Sequence, residues 1–391
     1  MEQKTFTARW IFPVTKPPLP HGTITIRGDR IVAVEAQPTR RTDVDLGNVA
    51  ILPGFVNAHT HLDLTGARGR CPPDPDFAQW LRRVIAFRRS RTPAEVQTDI
   101  AAGLTECTRY SATLIGDISD GGASWELLSA ASCRAVVFHE LLGLSEERAQ
   151  QSWQAAQEWL QQHPCTNRCR GGLSPHSPYS VRRTLYSVLG VKPFPIATHL
   201  AETQAERELL RSHRGSFVNF LKELNAWDPS GLIAAPEEII RLLPHGIFVH
   251  GNYLDPATPF KPRQSLVICP RTHAAFGHPH HPFPEMLRRG VRVAIGTDSL
   301  ASNPDLDILA EARFLRRQYP EVDPATLLRM LTLSGAEALG FEAVTGSLTV
   351  GKSADLVVVP LPDDERSEPH ELVFDSALPV QGVMFRGEWR I

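Results

Sequence analysis

The hydrophobic positions of this chain change period twice along its length. Up to about residue 50 they alternate with polar ones, as in Gly22-Thr23-Ile24-Thr25-Ile26-Arg27-Gly28-Asp29-Arg30-Ile31-Val32-Ala33-Val34. A period of two belongs to a half-buried strand, and Gly28-Asp29 supplies tight-turn chemistry, so a hairpin is predicted here. Between about 51 and 345, short apolar runs alternate with longer stretches of helical period, the pattern of repeated βα units. Eight strands are predicted, ending near His61, Asp117, Glu140, His176, His199, His250, Pro270 and Asp298. Predicted helices include Thr92–Arg109, opened by Thr92-Pro93, Ser145–His163 and Pro324–Leu333. After Gly346 the β pattern returns in Asp355-Leu356-Val357-Val358-Val359. The expected fold is therefore α/β: a (β/α)8 TIM-like barrel over 51–345, with a small β-sandwich assembled from 1–50 and 346–391. The sequence carries no internal repeat and no low-complexity tract.

Composition acts mainly by exclusion. A length of 391 residues suits one large barrel with a small second domain. Hydrophobic residues make up 42% and charged residues 21%, the balance of an ordinary soluble globular chain. With 41 basic and 43 acidic residues the net charge is −2, which gives no long-range field toward nucleic acid or an acidic membrane surface. Met1-Glu2-Gln3-Lys4-Thr5 lacks the apolar core of a signal peptide, and no apolar run is long enough to span a bilayer, so a cytoplasmic location is expected. Six scattered cysteines are no disulfide framework; Cys165 and Cys169 lack a second pair and read as structural thiols.

Chemistry concentrates at the ends of the predicted strands. His59 and His61 stand at i and i+2, so on a strand their rings share a face, and imidazole is the commonest biological metal ligand. Apolar runs also lead into His199, His250 and Asp298. Ligands delivered by several strand ends are how a parallel barrel builds a metal site.

Several motifs resemble the amidohydrolase superfamily: Pro53-Gly54-Phe55-Val56-Asn57-Ala58-His59-Thr60-His61, Thr198-His199-Leu200-Ala201-Glu202, Gly296-Thr297-Asp298-Ser299 and Gly346-Ser347-Leu348-Thr349-Val350-Gly351-Lys352-Ser353-Ala354-Asp355-Leu356. The resemblance runs from about residue 10 to the C-terminus and is nearest the cytosine deaminase-like, or chlorohydrolase, branch. Ser174-Pro175-His176-Ser177-Pro178-Tyr179-Ser180 resembles the strand-4 motif of its nucleoside-type deaminases. Phe138-His139-Glu140-Leu141-Leu142-Gly143 and Gly296-Thr297-Asp298-Ser299-Leu300-Ala301-Ser302-Asn303 are most similar to the aminofutalosine deaminases. The resemblance implies a metal-dependent hydrolytic deaminase of an amino-substituted heterocycle, an adenine nucleoside derivative such as aminofutalosine, releasing ammonia. A chlorohydrolase, a guanine-type deaminase or a cyclic amidase would use the same residues, and a non-catalytic structural homologue is the remote alternative. Relatives are often dimers, so a homodimer is an expectation.

Each motif also has its own physical reading. His59, His61 and His199 offer three imidazoles and Asp298 an oxygen, leaving one position open to water on a single divalent ion. Zinc is expected, and iron(II) or manganese would suit the same donors. Glu202, on the first turn after His199, is placed to shuttle a proton without being a ligand. His250 is placed to contact the attacking oxygen or the developing oxyanion, and Asp298 to accept a hydrogen bond from the water as well. Taken alone, Glu202 reads as a solvated helix-start acid and His250 as a core histidine; the set of strand ends favours catalysis. By resemblance His176 is a substrate contact. Glu140 either touches substrate or pairs with an arginine. Where related nucleoside deaminases bring a glutamate toward the ribose, Trp80–Arg89 carries Arg88 and Arg89, which suits a carboxylate-bearing substrate or else the wet face of a helix. Gly277-His278-Pro279-His280-His281-Pro282 reads as a surface or substrate-side loop, and Asp117 and Asp120 as structural hydrogen-bonding groups.

Overall fold

The eight predicted strands are present in a computed structural model, which describes residues 3–37, 41–364 and 368–390. They are β1 (Phe55–Thr60), β2 (Ala112–Ser119), β3 (Arg134–Leu141), β4 (Cys169–Pro175), β5 (Ala197–Leu200), β6 (Gly246–His250), β7 (Gln264–Ile268) and β8 (Val293–Ile295). They hydrogen-bond in chain order within two four-stranded sheets, β1 to β4 and β5 to β8. The pairs β3–β4, β5–β6, β6–β7 and β7–β8 are parallel. Two isolated parallel bridges, Leu173↔Ile196 and Thr60↔Asp298, join the ends of one sheet to those of the other. Nearly every residue of these strands is buried, as expected where both faces of a parallel strand are covered.

Capping fixes the helices between them. Pro93–Arg109 opens on a reciprocal box in which Thr92 Oγ1 accepts the Glu95 N–H at 3.3 Å and Glu95 Oε2 accepts the Thr92 N–H at 2.8 Å. Ser145 caps Glu146–Gln162 by accepting the Arg148 N–H. The predicted helix 324–333 instead divides into Pro324–Leu331 and Leu333–Ala338. Thr332 breaks it: its hydroxyl donates to the Leu328 carbonyl at 2.6 Å, and its backbone leaves the helical region.

The chain forms two compact units. The first comprises Met1–Ala58, Glu106–Ile115 and Asp307–Ile391. Its predicted hairpin is Thr23–Arg27 paired antiparallel with Arg30–Glu35, turning at Gly28, whose φ of 57° suits a residue without a Cβ. A second, six-stranded sheet pairs Leu356–Pro360 antiparallel with Val49–Pro53, the junction at which three strands from the C-terminal end meet three from the N-terminal end. Phe6, Ile24 and Ile31 from the first sheet pack with Ile51, Leu356 and Val358 from the second.

The second unit comprises His59–Thr105 and Gly116–Leu306, and it holds every residue singled out as a site candidate. The six cysteines are free thiols, with Cys169 buried and Cys165 exposed.

Candidate metal centre

β1 carries His59, His61 follows its last residue with the backbone still extended, and β5 carries His199. The ligating nitrogens of all three lie within 4.8 Å of one another. His61 Nε2 is 3.2 Å from His199 Nε2. Asp298, just beyond β8, places Oδ1 3.7 Å from His59 Nε2 and 3.6 Å from His61 Nε2. Four donors bonded at ~2.0–2.1 Å in a tetrahedron stand ~3.3–3.4 Å apart, so these separations fit a small divalent ion.

The protonation chemistry fits as well. The His199 Nδ1–H donates to the His176 carbonyl at 2.9 Å, which leaves Nε2 with its lone pair toward His61. Both ring nitrogens of His59, and Nδ1 of His61, are buried without a hydrogen-bond partner. Burial, and then the neighbouring imidazoles, push His61 and His199 well below the ordinary histidine range, so both rings are neutral at physiological pH, the form a metal ligand requires. A buried group of unpaired lone pairs is costly unless a cation binds it.

The backbone around these residues is strained in a consistent place. Ala201 after β5, His250 at the end of β6 and Asp298 after β8 have φ of 50°, 69° and 61°. Left-handed geometry costs a non-glycine residue of order 1–3 kcal/mol and clusters at functional sites. Asp298 is held there from several sides. Its N–H and that of Thr297 donate to the His59 carbonyl at 3.1 and 3.0 Å, and its carboxylate accepts the Ser299 N–H at 2.8 Å and the Ser302 hydroxyl at 3.2 Å.

Gly296 permits this approach: a Cβ there would stand 2.8 Å from both the Cβ and the carbonyl oxygen of His59. Gly296→Ala is therefore expected to cost about 1–3 kcal/mol of stability and to weaken metal binding, read by thermal melting and metal titration. Unchanged melting and metal affinity would show that the close approach of β8 to β1 is not required.

Glu202 is buried beside these residues, its Oε1 3.4 Å from His250 Nε2. Burial first, and then the charges of Asp298 and Glu206, raise its pKa well above the carboxylate range. Burial likewise keeps His250 neutral. The pair therefore sets a carboxyl of raised pKa beside an uncharged imidazole.

These groups open onto a cavity of about 740 Å³ lined by His61, His199, Glu202, His250 and Asp298, and also by His176, Glu140, Arg88 and Arg89. Serine hydroxyls at 2.8 and 3.1 Å face His176 Nδ1, and burial lowers this ring's pKa to about 3.

The expectation that Arg88 lies on a wet helix face is corrected. Its Nη1 binds Glu140 Oε2 at 3.0 Å and its Nη2 binds Asp63 Oδ2 at 3.1 Å. Arg89 is exposed but also lines the cavity. Glu140 thus both pairs with an arginine and faces the cavity.

Asp117 has the structural role expected, accepting the Leu62 N–H at 2.8 Å and the Ser124 hydroxyl at 2.5 Å, whereas Asp120 is exposed and lines the cavity. No residue of the histidine tract is among those that line this cavity. His278 Nδ1 contacts the Tyr253 hydroxyl, and His281 is buried, its Nε2–H donating to the His250 carbonyl at 2.9 Å. His281 is thus a support for His250, a role sequence reading missed because its partner is a backbone atom.

Asp63 and Glu206 were also missed. The signal for Glu206 was legible in Thr203-Gln204-Ala205-Glu206, a capping-box spacing.

Residues 50–390 match the model of the amidohydrolase family. The 5-methylthioadenosine/S-adenosylhomocysteine deaminase of Moorella thermoacetica is 31% identical, over 93% of this chain and 86% of that protein. The aminodeoxyfutalosine deaminase of a Nitratiruptor species is 28% identical, over 81% and 80%. The crystal structure of Helicobacter pylori aminofutalosine deaminase with methylthio-coformycin superimposes with a TM-score of 0.86 at 21% identity, covering 99% of this chain and 100% of that one, and so shares the fold.

Proposed function

The chain belongs to the amidohydrolase family, and on that premise we propose that it is a divalent-metal-dependent hydrolytic deaminase of an adenine nucleoside derivative. One observation carries the reading: three buried imidazoles and Asp298 converge beside an acid, Glu202, on one cavity. The deaminase names of relatives along most of the chain support it. The strands form a closed (β/α)8 barrel, a closure supported by the bridges Leu173↔Ile196 and Thr60↔Asp298. Residues 1–50 and 346–391 form a composite β-sandwich, supported by the core their two sheets share.

His59, His61, His199 and Asp298 hold one ion, and their three nitrogens and one oxygen suit zinc. Bound there, the ion supplies Lewis acidity that brings the ionisation of water near neutral pH. Glu202, kept protonated by burial, donates its proton to the ring nitrogen beside the amino-bearing carbon. That carbon then accepts the water oxygen. Asp298 takes one proton from the water and passes it to the amino group, which leaves as ammonia as the C–N bond breaks. The second water proton returns to Glu202, restoring the acid. His250 orients the attacking oxygen, and His176 contacts the substrate from β4.

The cavity wall indicates what lies beyond the ring. Arg88 is already shared by two carboxylates, so a substrate carboxylate would meet Asp63 and Glu140 along with it. Phe77, Trp80, Leu81, Val84, Phe220 and Leu221 line the same cavity and suit an apolar group on the 5′ carbon. The test is ammonia release by zinc-loaded protein from 5′-methylthioadenosine, S-adenosylhomocysteine, aminofutalosine and guanine, alongside chloride release from a chlorotriazine. Turnover of at least one 5′-substituted adenine nucleoside is expected. Turnover of the chlorotriazine alone would overturn the deaminase reading and leave the metal centre standing.

A further inference from the structure

The backbone that carries Glu202 is clamped at both ends by buried polar side chains that line none of the cavity. Glu206 is fully buried, and its carboxylate faces backbone rather than a cation: Oε1 accepts the Ala201 N–H at 2.9 Å and Oε2 accepts the Glu202 N–H at 3.0 Å. On the other side, the Asn252 Nδ2–H donates to the Glu202 carbonyl at 3.0 Å. Asn252 is itself buried, two residues beyond His250, and its Oδ1 is 3.0 Å from His273 Nδ1. The clamp therefore spans the segment between β5 and the helix Gln204–Ser212, including Ala201 in its left-handed conformation.

A buried carboxylate is an expensive way to terminate a helix. Thr203 already caps this one, accepting the Glu206 N–H at 3.1 Å, and a neutral Gln would also reach back to one amide. Because each oxygen accepts from one of two consecutive amides, the carboxyl holds the peptide planes on both sides of Ala201, which a Gln reaching one amide would not. The strained Ala201 conformation is the element that most needs fixing, because it sets the direction in which the Glu202 side chain leaves the chain.

We infer that Glu206, with Asn252, is a positioning residue for Glu202, aiming its carboxyl at the reacting ring without touching substrate or metal. The inference rests on the proposed acid-base role of Glu202. Displacements of about 1 Å in catalytic geometry cost on the order of 10²-fold, so Glu206→Gln should lower kcat roughly 10–100-fold. KM should stay within about threefold and bound metal near one per chain, because neither the ligands nor the cavity wall changes.

The discriminating measurement is a double-mutant cycle. In the Glu202→Gln background, Glu206→Gln should cost less than about threefold more, since there is no acid left to aim. Equal losses in both backgrounds, or a rise in KM with kcat unchanged, would overturn the inference. Asn252→Ala carries the same comparison from the carbonyl end if Glu206→Gln does not accumulate as folded protein. Full activity in Glu202→Gln alone would sink the acid-base role instead, so the two failures are distinguishable.

Discussion

Glu202→Gln is expected to keep its metal and its fold while losing about 10²–10⁴-fold in kcat. The amide matches the carboxyl in shape and can still face His250 Nε2, now 3.4 Å from Oε1, but it has no proton to exchange with the ring nitrogen. Burial, reinforced by the charges of Asp298 and Glu206, raises the pKa of the native carboxyl well above the ordinary carboxylate range. The wild-type rate should therefore fall on the alkaline side, as Glu202 loses its proton, and that limb should vanish in the variant. The checks are metal content, thermal melting and a pH–rate profile on one protein preparation. Loss of metal together with activity would make Glu202 a ligand or a structural support, and the proton-transfer role would have to move to another group.

His59→Ala should show the opposite signature, with metal and activity lost together. His59 is the residue whose two buried ring nitrogens lack any hydrogen-bond partner, and its carbonyl anchors the Asp298 turn. Removing the ring would delete a proposed ligand while leaving that backbone anchor in place. Losing an outer hydrogen-bond partner of a metal ligand already costs about 10–100-fold in affinity, and loss of the ligand itself should exceed that. Chelator competition on purified protein measures it directly, and the thermal stabilisation that added zinc gives the wild type should shrink accordingly. A variant that holds metal as tightly as wild type and turns over at the same rate would show that the centre lies elsewhere.

Both variants test residues that local pattern picked out, and the reason is periodicity. Two histidines at i and i+2 on an apolar strand must share a face, and runs ending at His199, His250 and Asp298 could be found by the same rule. The strand ends and the helix starts at Ser145 and Pro93 were legible for the same cause: caps and apolar runs are short-range signals. Short-range signals fail where the deciding partner is distant in sequence. Arg88 looked as much like a solvated helix residue as a substrate contact, because Glu140 lies 52 positions away and nothing local announces the pairing. Thr332 divided a helix that its periodicity presented as continuous.

The sequence by itself determined the α/β alternation, the order of the strands and the residue types presented at their ends, since each follows from side-chain periodicity and capping within a few residues. Only the tertiary structure decided which of those ends meet. The 3.2 Å approach of His61 to His199, the pairing of Arg88 with two acids and the hold of Glu206 and Asn252 on Glu202 all depend on it. Such contacts are made through space between segments far apart in the chain. Their energies come from burial and from charges brought within a few ångströms, which no local period encodes.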